Sequence, residues 1–181
     1  MSEALPKIRL KNLHKRFGEK VVLNGLNLDV GKGESVVIMG GSGSGKSVSL
    51  KCVLGLLTPD EGQVEIDGMS MLGISEDDRD RVNQKFGMLF QHAALFDSMT
   101  VLDNVTFGLL RGKGMAASDA ERVAYEKLEQ VGLDQSFGPR MPAELSGGQR
   151  KRVGLARAVA LEPEIILFDE PTTGLDPVMG D

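Results

Sequence analysis

The sequence predicts an α/β fold with a parallel sheet at its centre, entered through short antiparallel strands and interrupted by a block of helices. Three observations carry that expectation. The apolar run Ser35-Val36-Val37-Ile38-Met39 leads into Gly40-Gly41-Ser42-Gly43-Ser44-Gly45-Lys46-Ser47, and a helix-like stretch begins at Val48. A second run, Glu164-Ile165-Ile166-Leu167-Phe168-Asp169, is nearly all apolar and ends in an acid, as a strand buried in a parallel sheet does. Between them, residues from Thr100 to Leu161 carry helical spacing.

Taken in order, Ile8-Arg9-Leu10 and Val21 through Val30 gather apolar residues around the turn-like Phe17-Gly18-Glu19-Lys20, which reads as short antiparallel strands. The Ser35–Met39 run is expected as a buried-type strand. Ser47 to Leu57 then reads as a helix stopped by Thr58-Pro59-Asp60-Glu61-Gly62, because proline lacks the N–H that helical continuation needs. Gly62 to Gly68 and Phe86 to Phe90 are the next strands. Helices follow at Val101–Leu110 and Ser118–Val131, broken by Gly112-Lys113-Gly114. Ser118-Asp119-Ala120-Glu121 has the form of a capping box, and Ala124, Leu128 and Val131 mark a buried face. Ser146 to Leu161 is the last helix before the Glu164–Asp169 strand.

Composition narrows the classes. With 181 residues, 41% of them hydrophobic, the chain can bury one core of ordinary size, and no segment is long and apolar enough to cross a bilayer. The net charge of −5 does not favour wrapping nucleic acid, and Arg150-Lys151-Arg152 reads as a solvated helix face. Cys52 is the only cysteine, which rules out an intrachain disulfide; among Leu50, Val53 and Leu54 it reads as a small core residue. Met1 to Arg9 lacks the apolar core of a secretion signal, and no cluster has metal-ligand spacing.

The glycine-rich segment fits the phosphate-binding pattern G-x-x-x-x-G-K-[ST] in its required strand–loop–helix context. Glycines let successive backbone N–H groups converge on phosphate oxygens, and the following helix points its positive end at the same anion. Lys46 would neutralise the β- and γ-phosphates and Ser47 would hold Mg²⁺. Leu145-Ser146-Gly147-Gly148-Gln149 opens a helix with a hydroxyl at the cap and two glycines that expose N–H groups, which makes a second anion site. One triphosphate does not readily use both loops of one monomer, so the economical arrangement is a dimer in which each chain caps the other's nucleotide. After the Ile165–Phe168 run, Asp169 would reach Mg²⁺ through water and Glu170 would polarise the attacking water as general base.

The phosphate loop, Leu145–Gln149, Ile166-Leu167-Phe168-Asp169-Glu170 and Gly174-Leu175-Asp176 together resemble the nucleotide-binding subunits of ABC transporters, over essentially the whole chain. The resemblance implies a P-loop NTPase fold of the ABC ATPase kind, with an N-terminal antiparallel β subdomain, a RecA-like core and a helical subdomain. Residues 1–91 and 162–181 would form the core with its β subdomain, and residues 92–161 the helical subdomain. It implies ATP and Mg²⁺ as cofactors. Gly40, Gly41, Ser42, Gly43, Ser44, Gly45, Lys46, Ser47 and Val48 would surround one triphosphate, with Ser146, Gly147, Gly148 and Gln149 closing over it from the second copy. Glu170, Gln91 and Lys46 would be catalytic, and Ser47, Gln91 and Asp169 would face the metal. Phe17, where the family more often has tyrosine, would stack on adenine; Gln91 would sense the γ-phosphate and the membrane partner; Asp176 would communicate across the dimer.

The segments Gln91–Val105, Met141–Ser146, Asp176–Gly180 and Lys46-Ser47-Val48 are similar to those of Mla-type lipid transport ATPases. That likeness implies an integral membrane permease as partner, a second copy of the chain, a lipid-binding accessory subunit, and a place on the cytoplasmic face of the inner membrane. ATP hydrolysis would drive movement of phospholipid or another hydrophobic solute. ABC ATPases continue beyond the Gly174–Asp176 segment to a strand ending in a switch histidine, and His14 and His92 both precede that region. The chain is therefore expected to be truncated at its C-terminus, with apolar surface uncovered and hydrolysis impaired. The rival is a non-transport ABC ATPase acting on nucleic acid or ribosomes; the acidic charge and the lack of a long heptad-bearing insert speak against it. A small-metabolite kinase would have no use for Leu145–Gln149.

Overall fold

In the computed structural model, which describes residues 5–170, the chain divides into two compact units, Met1–Asn83 and Gln84–Asp181.

The first unit is built on a four-stranded antiparallel sheet in the order β2-β1-β3-β4. Its strands are β1 (Ile8–Phe17), β2 (Lys20–Val30), β3 (Glu61–Ile66) and β4 (Met69–Ser70). β1 runs longer than the sequence suggests, because pairing resumes beyond a register shift between Leu10 and Leu13, while β2 forms where the Val21–Val30 run predicts it. Asn12 sits at that bulge with φ 44°, and its N–H donates to the Asn27 side-chain oxygen at 2.9 Å. Leu10, Leu13, Leu23, Val64 and Ile66 are buried, giving the sheet one apolar face.

Helix α1 (Lys46–Val53) is shorter than the expected Ser47–Leu57. It stops at Gly55, not at Pro59. With φ 69°, Gly55 takes the left-handed turn that ends helices. Its N–H reaches Cys52 O at 3.1 Å and Leu56 N–H reaches Lys51 O at 2.9 Å, which satisfies carbonyls of the last turn. Cys52 is 2% exposed, and burial pushes its thiol above the usual range, as a core position should. Two elements had no signal strong enough to read: β4, with only two residues, and the highly acidic helix α2 (Glu76–Asn83).

The Ser35–Met39 strand is a correction. These residues form no strand, and Val37 and Met39 are 79% and 89% exposed. An extended segment becomes a strand only by hydrogen bonding to a neighbour, and none of the described strands pairs with this one.

The second unit pairs β5 (Phe86–Leu89) with β6 (Ile165–Phe168) in parallel, Phe86 opposite Ile165 and Leu89 opposite Phe168. β6 has β5 as its neighbour and alternates in burial, with Ile165 and Leu167 buried and Ile166 and Phe168 exposed, so the all-apolar run does not make it a central strand among the described residues. Three helices, α3 (Val101–Arg111), α4 (Ala117–Gln130) and α5 (Gly147–Ala160), share a core of Val101, Val105, Leu109, Ala120, Ala124, Leu128, Val153 and Ala156. The i, i+4 spacing in α3 and α4 is the stripe such packing needs. α4 starts earlier than predicted: Ala116 is its N-cap and has no side-chain cap, so Ser118 lies inside the first turn and the expected capping box does not form.

Asp60 joins the loop after α1 to the end of β1. It accepts from Lys15 Nζ at 2.8 Å and from Arg16 N at 2.7 Å, and the Lys15 bond, then the backbone bond, hold its carboxyl below the ordinary carboxylate range. A depressed folded pKa gives stability that is complete above the unfolded value, about 4, and lost as pH falls through the folded one. Asp60→Asn is expected to flatten the acid limb of the stability curve, read as the urea midpoint between pH 7 and the acid transition. An unchanged limb would show that the bonds contribute nothing.

Candidate functional site

In the first unit, the glycine-rich loop turns directly into α1. Gly45 is the N-cap at φ 97°, and a Cβ there would lie 2.8 Å from Leu23 Cδ2 and 2.9 Å from Val22 O. Only glycine fits both the conformation and the space. Ser44 N–H closes onto Gly41 O at 3.2 Å, and Lys46 Nζ curls back to donate to Gly40 O at 2.8 Å and Gly41 O at 3.0 Å. The result is a tight loop with an ammonium over it, at the positive end of a helix. Gly41, Ser42, Gly43 and Ser44 are exposed, while Ser47 and Val48 are half-buried in the first turn. Ser49, buried one turn on, donates to Lys46 O at 2.7 Å and braces that turn. Phe17, at the end of β1, is 48% exposed, with Lys15 Nζ 5.7 Å from its ring centroid.

In the second unit, the parallel register brings the ends of β5 and β6 together. Gln91 and Glu170 each stand two residues past the paired Leu89 and Phe168, and Gln91 Nε2 donates to Glu170 Oε2 at 2.9 Å. Glu170 turns back with φ 49°. Asp169 is 7% exposed, and its N–H bonds to Leu89 O at 2.9 Å, extending the ladder to the acid. The sequence reading placed these acids and the amide in one function, and the structure brings Gln91 and Glu170 into contact.

Ser146 caps α5. Its Oγ accepts from Gln149 N at 3.2 Å, and Gln149 Oε1 accepts from Ser146 N at 2.9 Å, which completes a capping box. Arg150 Nη1 holds Leu145 O at 2.8 Å, and Leu145 is buried in the helical core. The Gly147 and Gly148 amides lie in the first turn, where no intrahelical acceptor exists, and a Cβ on Gly147 would meet open space. Thus Gln149 acts on its own helix, and the two glycine amides are left without an intrahelical acceptor. Asp176 lies outside the described residues.

Two residues escaped the sequence reading. Asn104, 0% exposed on the apolar stripe of α3, accepts from Phe96 N at 2.8 Å and donates to Phe96, Met99 and Thr100 carbonyls, which pins the loop after Gln91. Its polarity on a buried stripe was the available signal. Arg157 on α5 donates to Ala94 O at 2.9 Å and Ala93 O at 2.8 Å, and burial pushes its guanidinium below its ordinary value. Ala93 and Ala94 both have positive φ, 61° and 46°, a conformation that costs non-glycine residues about 1–2 kcal/mol each.

No group of three or more His, Cys, Asp or Glu side chains that could cage a metal occurs among the described residues. Removing the cap hydroxyl tests the geometry of α5. Ser146→Ala is expected to lower stability by about 0.5–2 kcal/mol, measured by urea unfolding; no loss would mean that the capping box is dispensable.

Residues 23–173 match the family model described as ABC transporter. The chain is 45% identical over 170 residues to the glutamine transport ATP-binding protein GlnQ of Escherichia coli (strain K12), covering 94% of this chain and 70% of the relative. It is 42% identical over 171 residues to the intermembrane phospholipid transport system ATP-binding protein MlaF of Haemophilus influenzae, covering 94% and 64%. Against some other relatives it spans about half of their length. A solved structure described as a dimeric post-hydrolysis state of the ATP-binding cassette MJ0796 bound to ADP and Pi superposes with a TM-score of 0.85 at 39% identity, covering 94% of this chain and 76% of that one. The chain has the fold of an ABC-type ATPase and belongs to the ABC transporter family.

Proposed function

We propose that this chain is the ATP-binding and ATP-hydrolysing subunit of a transporter, acting as a pair of copies that close over two MgATP and pull on an integral membrane permease. The observation that carries the hydrolytic part is the 2.9 Å bond from Gln91 to Glu170 at the ends of paired parallel strands. That is where α/β sheets place their chemistry.

In this reading the loop amides of residues 40–47 and the Lys46 ammonium bind the β- and γ-phosphates, and Phe17 stacks on adenine. Ser47, Gln91 and Asp169 are the residues that would hold Mg²⁺, and the ion would neutralise phosphate charge. Glu170 takes a proton from water as the water oxygen attacks the γ-phosphorus and the bond to the ADP oxygen breaks. Gln91 fixes the orientation of that carboxylate by donating to one of its oxygens. The second copy supplies Ser146 and the Gly147 and Gly148 amides to the same phosphates, so triphosphate favours closure more than diphosphate does. That difference in affinity is what any ligand-driven switch requires.

The division into a core and a helical subdomain over 92–161 is part of this proposal, and the shared core of α3, α4 and α5 supports it. No helix among the described residues is long and apolar enough to cross a membrane. Attachment to the cytoplasmic face of the inner membrane through a permease is accordingly proposed. Phospholipid or another hydrophobic solute is the proposed cargo, supported by the similarity to MlaF and by the local segments noted above; a lipid-binding accessory subunit would go with it.

Glu170→Gln in the intact protein is expected to leave ATP binding within about twofold while lowering turnover by 10²–10⁴-fold, roughly the contribution of a general base. It should also shift the protein to dimer in MgATP by light scattering, and Lys46→Ala should abolish binding. A Glu170→Gln protein that turns over normally, or stays monomeric with MgATP, would sink the proposal. Purification from membranes should retain a hydrophobic permease; retention of RNA or DNA instead would favour the nucleic-acid rival.

A further inference from the structure

We infer that Arg157 is a positioning residue for the Gln91–Glu170 pair, because its guanidinium holds the Ala93 and Ala94 carbonyls and thereby fixes the left-handed turn through which the chain leaves Gln91. The inference rests on the hydrolytic reading above.

Arg157 is half-buried, and packing alone does not account for where its guanidinium lies. Its partners are two carbonyls, at 2.8 and 2.9 Å, and the Phe96 ring, 5.8 Å from Cζ; no carboxylate among the described residues pairs with it. A guanidinium presents a rigid planar fork of donors to two adjacent carbonyls, where an ammonium on its flexible stem is a point charge with freely rotating donors. The turn it holds is one that two alanines would not adopt unaided, with φ 61° and 46°. The turn is also pressed onto α5, since a Cβ added at Gly154 would lie 3.0 Å from Ala93 Cβ and 2.9 Å from Leu89 Cδ1.

Ala93 stands two residues beyond Gln91. Releasing the carbonyls therefore frees the backbone that aims the amide at Glu170 Oε2. The same helix begins at Ser146, eleven residues earlier, or about 16 Å along the axis. A single rigid element thus carries the signature cap at one end and the anchor of the Gln91 turn near the other.

The test uses the intact protein and two readouts. Amide exchange over Gln91–Leu95, read by mass spectrometry, is expected to rise about tenfold or more in Arg157→Met, with α3 unchanged. ATPase kcat should fall about tenfold with KM within about twofold, and Arg157→Lys should fall between. Ala94 is exposed, and Ala94→Gly removes the steric cost of the left-handed turn; alone it should change kcat by under about twofold, but in the Arg157→Met background it should restore about threefold or more. A residue that merely packs would not be rescued by that glycine. Unchanged exchange in Arg157→Met, or glycine effects that simply add, would overturn the inference. If Arg157→Met does not fold, exchange in Arg157→Lys decides: a rise over Gln91–Leu95 supports the role and no rise overturns it. If the wild-type protein does not hydrolyse ATP, the proposed function fails while the exchange measurement still decides whether Arg157 holds the turn.

Discussion

The parallel pairing of β5 with β6 is the constraint on which the second unit depends. A parallel ladder puts both carboxyl ends at the same edge, so residues at matched positions beyond the strands must meet. Leu89 lies opposite Phe168, and Gln91 therefore arrives at Glu170. The Asp169 N–H to Leu89 O bond extends the ladder to the residue before Glu170, so the geometry at the acid is inherited from the sheet. A one-residue slip would direct the amide away from the carboxylate and turn the buried Ile165 and Leu167 outward.

Helix starts impose a second constraint, and the two units meet it differently. α1 begins at a glycine held in a conformation that other residues avoid, and its lysine satisfies loop carbonyls. α5 begins at a serine and glutamine that satisfy each other. In both, the backbone groups that helix geometry leaves over face outward, and side chains brace the turn behind them. Asn104 and Arg157 brace the chain after Gln91 in the same manner, by holding carbonyls and amides that no regular ladder would satisfy.

Much of this was legible in the residues because its causes are local. The glycine loop, the Ser146 cap, the β6 run and the Ala124–Leu128 face each depend on a few neighbours in sequence, and each formed where the pattern put it. The failures were matters of partnership. Ser35–Met39 has the composition of a strand but lacks a described strand to bond to. The sequence predicts α1 to run to Leu57 because Pro59 is the stronger written signal, although Gly55 closes the helix first through carbonyls that only the fold reveals. Ser118 has the letters of a cap, yet the helix has already begun at Ala117, with its N-cap at Ala116, two residues before Ser118. Arg157 left no trace because its meaning lies sixty-odd residues away, in the carbonyls of Ala93 and Ala94.

Lys46 has a consequence beyond charge. Its ammonium already rests on two oxygens of its own loop, at 2.8 and 3.0 Å. In the proposed function an arriving phosphate competes with those oxygens for the head group's N–H donors, so affinity reflects an exchange of contacts and falls short of what a tally of new bonds would suggest. The compensation is readiness: the cradle keeps its shape through this internal tether, and a guest pays little to organise it.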